Sequence, residues 1–153
     1  LLAEAAHAAK VPVVFLGKPY SPDDDYFQRF KALVDGKYVR HPGFVTEAEK
    51  YRWLRGARGF ALLSRYESGC IAVYEAAAAG LPLFLSNLPW AARSYPAAKN
   101  LCLADLGSAR TVAAKLAAFY QQAHRSPAQT FPVYTWSEVA QQYIRLYEKV
   151  LAR

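Results

Sequence analysis

Short apolar runs alternate with helical patterns along this chain, and this alternation constrains the fold more than any other feature of the sequence. The runs with strand character span residues 11–16, 37–40, 59–64, 81–86 and 101–104. Between them, apolar side chains recur at helical spacing, as at Tyr51, Leu54 and Ala57. Apolar strands separated by helices are typical of parallel sheets that helices cover on both faces. We therefore predict an α/β fold with a parallel sheet of about five or six strands.

Length and composition are typical of a single globular domain. The chain has 153 residues, which we assign to one domain over residues 1–153, and 54% of them are hydrophobic. That share excludes a disordered chain. The longest uncharged run in the apolar middle, residues 76–92, is broken by glycine and proline, which argues against a membrane span. The 2 cysteines, Cys70 and Cys102, are too few for a disulfide scaffold, so we expect a reducing, cytoplasmic location.

The start of the chain suggests a longer protein. The sequence contains no methionine and opens inside a helical pattern. We therefore expect a piece excised from a longer protein, with an N-terminal domain and the first strand of this domain missing.

Local signals define several helix ends and direct attention to the loops after the strands. Thr46 with Glu49 forms a capping box, and Gly80 ends a helix that begins near Gly69. Ligands of parallel sheets bind beyond the carboxyl ends of the strands. Neither the GxGxxG nor the GxxxxGK[ST] pattern is present, which disfavours a dehydrogenase or a P-loop NTPase.

Glu75 is the only charged residue of the helix predicted over residues 69–79, where it is surrounded by alanines. Burying a carboxylate without a partner is costly. We therefore expect either a structural partner or a ligand that donates hydroxyl groups to Glu75. Glu67 lies eight positions earlier, so the two carboxylates are on the order of 10 Å apart along one axis.

Three residues between the two glutamates, Ser68, Gly69 and Cys70, bring backbone N–H groups to the start of the helix. Such groups favour an anion. The chain thus presents the carboxylate of Glu67, then an anion site at the helix start, and then the carboxylate of Glu75. This order suits a diphosphate that carries a sugar at each end, because each carboxylate can accept hydrogen bonds from sugar hydroxyls.

The segment from Ser64 to Pro82 resembles the E-x7-E signature of retaining glycosyltransferases of the GT-B fold, family 4. It reads Ser-Arg-Tyr-Glu-Ser-Gly-Cys-Ile-Ala-Val-Tyr-Glu-Ala-Ala-Ala-Ala-Gly-Leu-Pro. Residues 39–45 resemble the family's strand and loop beside the nucleotide base, and residues 136–147 its closing helix. The resemblance implies a Rossmann-like domain, the donor-binding half of a GT-B hexosyltransferase. One departure is that Gly69 and Cys70 stand where the family usually has an aromatic residue and glycine.

The resemblance also implies a role for each site residue. The donor is a nucleotide-diphosphate sugar, held with no metal and no cofactor. Glu67, the catalytic residue, contacts the donor sugar, and Glu75 contacts the ribose hydroxyls. The remaining donor-binding residues are Ser68, Gly69 and Cys70 beside the sugar and diphosphate, and Gly43, Phe44 and Val45 beside the base. The acceptor, a glycan, a lipid or a small molecule, binds the missing domain, so we expect this chain alone to be inactive.

The charge distribution leaves two alternatives open. The net charge is +7, and residues 37–65 hold seven basic side chains against two acidic ones. Such a balance suits a phosphorylated molecule, an anionic membrane surface or a nucleic acid, with nucleic acid the least favoured. The alternatives are a nucleotide-sugar epimerase of the GT-B fold, which needs acid and base residues that the sequence does not reveal, and a non-catalytic basic binding module.

Overall fold

The structure is a computed structural model that describes residues 1–95, 100–123 and 132–152. Helices of these ranges are α1 (Leu2–Ala9), α2 (Asp25–Lys31), α3 (Glu47–Gly56), α4 (Ile71–Ala78), α5 (Pro89–Ser94), α6 (Ala109–Gln122) and α7 (Trp136–Leu151). Strands are β1 (Val13–Leu16), β2 (Val39–Gly43), β3 (Phe60–Leu62), β4 (Leu83–Ser86) and β5 (Leu101–Ala104). The alternation of strands and helices confirms the predicted α/β class.

The strands pair in parallel, as predicted, but the sheets are smaller than predicted. β1 pairs with β2, and β3, β4 and β5 are neighbours in that order. The described residues thus form sheets of two and three strands, where we expected one sheet of five or six. The reason is that the described parts of β1 and β3 have no ladder hydrogen bonds to each other.

Burial differs between the central strand and its neighbour. All four residues of β4 are buried because β4 is the central strand of three and helices pack against both of its faces. β3 is half-buried throughout, although a continuous apolar run is typical of a strand that is covered on both faces. β3 pairs with β4 alone among the described strands, and its outer edge lacks that cover.

Helices cover both faces of the three-stranded sheet. Phe84 of β4 joins a core cluster with Ala5 of α1 and Leu116 of α6. The neighbouring side chains Leu83 and Leu85 join a second cluster with residues of α4 and α5. Because successive side chains of a strand point to opposite faces, β4 has helices on both sides.

Local capping signals agree with the observed helix ends. Thr46 and Glu49 form the predicted capping box at the start of α3. Gly80 has a φ of 73°, the left-handed conformation that glycine adopts without strain, and it follows the end of α4. α6 ends at Gln122. The spacing of Val112, Leu116 and Phe119 predicts a helix to about His124, which lies outside the described residues.

The last helix is a separate case. α7 carries an apolar stripe, but none of its described residues is buried. Tyr143 is 55% exposed and Val150 is 62% exposed.

Among the helices that the structure describes, none combines the length and apolar character required to cross a bilayer.

Candidate functional site

The end of β3 is held in place by two hydrogen bonds to one carbonyl group. Ser64 follows β3, and its carbonyl oxygen accepts hydrogen bonds from the hydroxyl of Ser86 and from the indole Nε1 of Trp90. Ser86 ends β4 and Trp90 lies in α5, so two other elements fix the residue that begins the loop 65–70. This loop carries Glu67 to the start of α4.

α4 buries one face and leaves the other open. Its inner side chains Val73, Ala76 and Ala77 are buried, whereas Ile71 is 56% exposed. The Glu75 side chain is 21% exposed and lies at the border of the two faces. The Glu75 carboxylate is therefore sheltered but not fully enclosed, because Ala78 and Ala79 of the same region border an open pocket beside it.

Glu75 has an ion-pair partner that sequence reasoning missed. Lys50 of α3 places its Nζ atom 2.7 Å from Oε1 of Glu75 and 2.9 Å from Oε2 of Glu47. The hydrogen bond to Glu75 is the main reason why the pKa of Lys50 is raised above its ordinary value, and the bond to Glu47 raises it further. Lys50 and Glu75 are 25 positions apart, so no spacing rule connects them.

Glu75 lies on the wall of an open pocket of about 730 Å³. The pocket is bordered by one face of α3, by the outer face of α4 and by residues 132–139. Its lining includes four aromatic side chains, namely Tyr51, Tyr74, Tyr134 and Trp136. Apolar walls with a few polar groups are typical of small-molecule sites, and this volume lies within their usual range.

Gly69 opens onto the same pocket. It lies in the loop before α4, and a β-carbon added to it would meet nothing within 4 Å. Packing within the described chain therefore does not require glycine at this position. The described lining of the pocket thus combines two of the predicted donor-binding residues, Gly69 and Glu75.

Cys70 lies within electrostatic reach of both predicted carboxylates. Burial raises the pKa of the Cys70 thiol, and the charges of Glu67 and Glu75 raise it further, although the backbone N–H groups of Val73 and Ala72 oppose these effects. The position of Cys70 at the helix start therefore does not lower the pKa of its thiol. Burial is the main cause that raises the pKa of Tyr95, and the nearby Tyr74 and Cys70 raise it further. The charge of the half-buried Glu67 adds to this increase.

The predicted base-binding residues lie elsewhere. Gly43 ends β2, and Phe44 and Val45 follow it; none of the three is part of the described lining of this pocket. Gly43 has a φ of 83°, and its carbonyl accepts a 2.9 Å hydrogen bond from the N–H of Gly17. Phe44 is 75% exposed. The structure therefore brings Gly69 and Glu75 together and leaves Gly43, Phe44 and Val45 outside that group.

Metal-binding side chains do not gather in the described ranges. No three of the histidine, cysteine, aspartate and glutamate residues of these ranges lie close enough together to hold an ion. The residues that line the pocket instead carry a carboxylate, a guanidinium, a serine hydroxyl and phenol groups, which suit hydrogen bonds to hydroxyl groups and stacking on rings.

Comparisons with known proteins agree with this architecture. Residues 1–122 match the sequence profile of the family described as glycosyl transferases group 1. A search among curated proteins finds no match. The structure is similar to that of AviGT4, a glycosyltransferase involved in avilamycin A biosynthesis, with a TM-score of 0.74 and 18% identity, covering 99% of this chain and 47% of that chain.

A second solved structure gives a similar result. It is the catalytic domain of the cholesterol-α-glucosyltransferase from Helicobacter pylori, with a TM-score of 0.57 and 24% identity, covering 78% of this chain and 76% of that chain. At these identities the likeness shows a shared fold, the Rossmann-like architecture of GT-B glycosyltransferases. The chain spans about half the length of AviGT4. Because the family profile matches most of its residues, the chain belongs to the glycosyl transferases group 1.

Proposed function

We propose that this chain is the donor-binding half of a retaining glycosyltransferase that moves a sugar from a nucleotide-diphosphate sugar to an acceptor. The observation that carries the proposal is the position of Glu75 on the wall of an open pocket, with Gly69 at the same pocket. Membership of the family supports the transfer of a sugar. The nucleotide-sugar donor and the retaining stereochemistry come from the resemblance of the 64–82 segment.

The chemistry that we propose is mainly electrostatic. As the bond to the sugar breaks, negative charge develops on the departing nucleoside diphosphate. The amides of Ser68, Gly69 and Cys70, at the start of α4, are suited to stabilise that charge without a metal. Glu67 accepts hydrogen bonds from the donor sugar and orients it, and Glu75 binds the ribose hydroxyls. Gly43, Phe44 and Val45 border the base in this proposal.

We further propose that the acceptor binds another part of a longer protein, so that this chain alone binds donor but does not complete the transfer. Two observations support the need for such a part. β1 and β3 are only half-buried, and each pairs with one strand among the described residues, so a further strand would cover their edges. The apolar stripe of α7 is exposed, and aromatic side chains such as Tyr147 are suited to pack on a second domain.

Nucleotide titration tests the proposal. The 153-residue chain is titrated calorimetrically with UDP and with GDP, and the same titrations are run on Glu75→Gln. We expect saturable binding of one nucleotide, weakened about tenfold in the variant because a charged acceptor is lost. Glu148→Gln, the same change at an exposed position of α7, is the matched control and should bind as the wild type does.

Two further arms separate the alternatives. A short DNA duplex and vesicles containing an anionic lipid test a basic binding module, for which binding would fall steeply with salt and would not depend on Glu75. Incubation of the longer protein with the nucleotide sugar alone tests an epimerase, which would change the sugar without an acceptor. A folded chain that binds neither UDP nor GDP would overturn the proposed function.

A further inference from the structure

Lys50 links two helices at the edge of the pocket. Its ammonium group lies between the carboxylates of Glu47, on its own helix, and Glu75, on α4. The Lys50 side chain is 25% exposed and that of Glu75 is 21% exposed, whereas that of Glu47 is 76% exposed. The bond to Glu75 is therefore the more sheltered of the two, and shelter from water strengthens a charge-assisted hydrogen bond.

The Glu75 carboxylate can accept further hydrogen bonds while it is paired with Lys50. A carboxylate offers about four acceptor sites on its two oxygens. Lys50 donates to Oε1, at 2.7 Å. A glutamate side chain otherwise rotates about several bonds, and holding it costs conformational entropy at the moment of binding. A carboxylate that the protein has already oriented avoids that cost.

We propose that Lys50 is a positioning residue that holds the Glu75 carboxylate ready for the two ribose hydroxyls of a nucleoside diphosphate, and that it thereby sets a preference for ribonucleotides over 2′-deoxyribonucleotides. This inference rests on the proposed function, since it takes the ribose as the partner of Glu75. The bridge to Glu47 assists by fixing the ammonium from the opposite side. The raised pKa of Lys50 is consistent with a charged ammonium at neutral pH.

A purely structural role makes a different prediction. If Lys50 only joined α3 to α4, its removal would disturb the whole pocket and weaken every nucleotide to the same extent. If Lys50 acts through Glu75, its removal weakens the ribonucleotide more than its 2′-deoxy analogue, which offers Glu75 one hydroxyl group instead of two. The difference between a ribonucleotide and its 2′-deoxy analogue therefore separates the two roles.

The experiment measures dissociation constants of UDP and 2′-deoxy-UDP, or of GDP and 2′-deoxy-GDP if guanine is preferred, for the wild-type chain and for Lys50→Met. We expect the wild type to bind the ribonucleotide about tenfold more tightly than its deoxy analogue. In Lys50→Met the ribonucleotide should lose about tenfold in affinity, while the deoxy analogue, which keeps only the 3′-hydroxyl, should lose about threefold.

Further variants guard against an effect on folding. Lys50→Arg keeps the charge and the donors and should retain the ribose preference. Glu47→Gln alters only the exposed side of the bridge and should reduce the preference by about threefold. Lys31→Met makes the same charge change at an exposed position of α2 and should leave both constants unchanged.

The outcomes are distinct. Equal losses for both nucleotides in Lys50→Met, or no loss for either, would overturn the role of Lys50 while wild-type binding still supports the proposed function. A wild-type chain that binds nucleotides without regard to the 2′-hydroxyl would overturn the inference as well. A folded wild-type chain that binds no nucleotide would overturn the proposed function and the inference together.

Discussion

The indole Nε1 of Trp90 donates a 3.1 Å hydrogen bond to the carbonyl oxygen of Ser64. The bond crosses from α5 to the end of β3, 26 positions away along the chain. Trp90 is half-buried and packs against the core cluster that includes Leu83 and Leu85. Because Ser64 begins the loop that carries Glu67, this tryptophan holds the edge of the candidate site in place.

Replacing Trp90 tests that link. Trp90→Phe keeps an aromatic ring but removes the donor, while Ser86 still donates to the same carbonyl. We expect the free energy of unfolding to fall by about 1 kcal/mol, as measured by urea denaturation. Amide hydrogen exchange should also accelerate in residues 65–70. Trp53→Phe, at a more exposed site on α3, is the control. An equal acceleration of exchange in residues 65–70 in this control would contradict the prediction.

Replacing two glycines with alanine should change the free energy of unfolding in opposite directions. A β-carbon on Gly59 would lie 2.7 Å from the ring of Phe119 and 3.4 Å from the carbonyl of Pro82. Gly59→Ala should therefore lower the free energy of unfolding by about 1–3 kcal/mol, because the packed ring must move. Gly56, at the end of α3, has nothing within 4 Å of its added β-carbon. Gly56→Ala should raise stability by about 0.5–1 kcal/mol, and a loss of the same size in both variants would show that crowding at Phe119 is not the cause.

Replacing Gly69 with alanine should weaken nucleotide binding without lowering the stability of the fold. An alanine there meets nothing within 4 Å, so the unfolding free energy should change by less than about 0.5 kcal/mol. The added methyl group enters the pocket and should weaken UDP or GDP binding by about tenfold. Gly107→Ala, also free of contacts, should change neither quantity. Unchanged binding in Gly69→Ala would mean that the ligand does not approach this loop.

Asp35 should account for part of the loss of folding stability at acid pH. Its Oδ1 accepts hydrogen bonds from the N–H groups of Val39, Lys37 and Tyr38, at 2.9, 2.8 and 2.8 Å, just before or at the start of β2. The bond from Val39 is the largest cause that lowers the pKa of Asp35 below its ordinary value of 3.8, and the nearby His7 contributes least. A lowered pKa means that the carboxylate stabilises the fold above about pH 4 and that this contribution is lost as the pH falls through the folded-state pKa.

The variant Asp35→Asn keeps an acceptor oxygen but does not titrate. Its stability should therefore fall less steeply than that of the wild type between about pH 5 and pH 2, when urea midpoints are followed across that range. Asp23→Asn, an exposed position before α2, serves as the control and should follow the wild-type curve. Parallel curves for Asp35→Asn and the wild type would exclude the proposed role of these hydrogen bonds.

Short-range rules account for the features that the sequence predicted well. The capping box of Thr46 and Glu49 and the stop at Gly80 depend on atoms within about four residues of one another. The strands β4 and β5 could be predicted because a continuous apolar run is stable only inside a covered sheet. α5 was not predicted, although Pro89 at its first turn is a known start signal.

Long-range relationships could not be predicted in the same way. Whether Glu75 is enclosed or open to a pocket depends on how α3 and residues 132–139 lie against α4. Its contact with Lys50 depends on two helices that are adjacent in space but separate in the chain. The incomplete cover of β3 depends on which strands are its neighbours.

The sequence by itself determined the class of fold, the parallel direction of the strands and the order of the two glutamates around the start of α4, because these follow from hydrophobic periodicity and from the rise of a helix. The tertiary structure alone decided which charged group meets Glu75, which side chains share its pocket and which apolar surfaces stay open. Those outcomes depend on packing between elements that are distant in the chain, and a linear pattern of residues does not specify the distances between them.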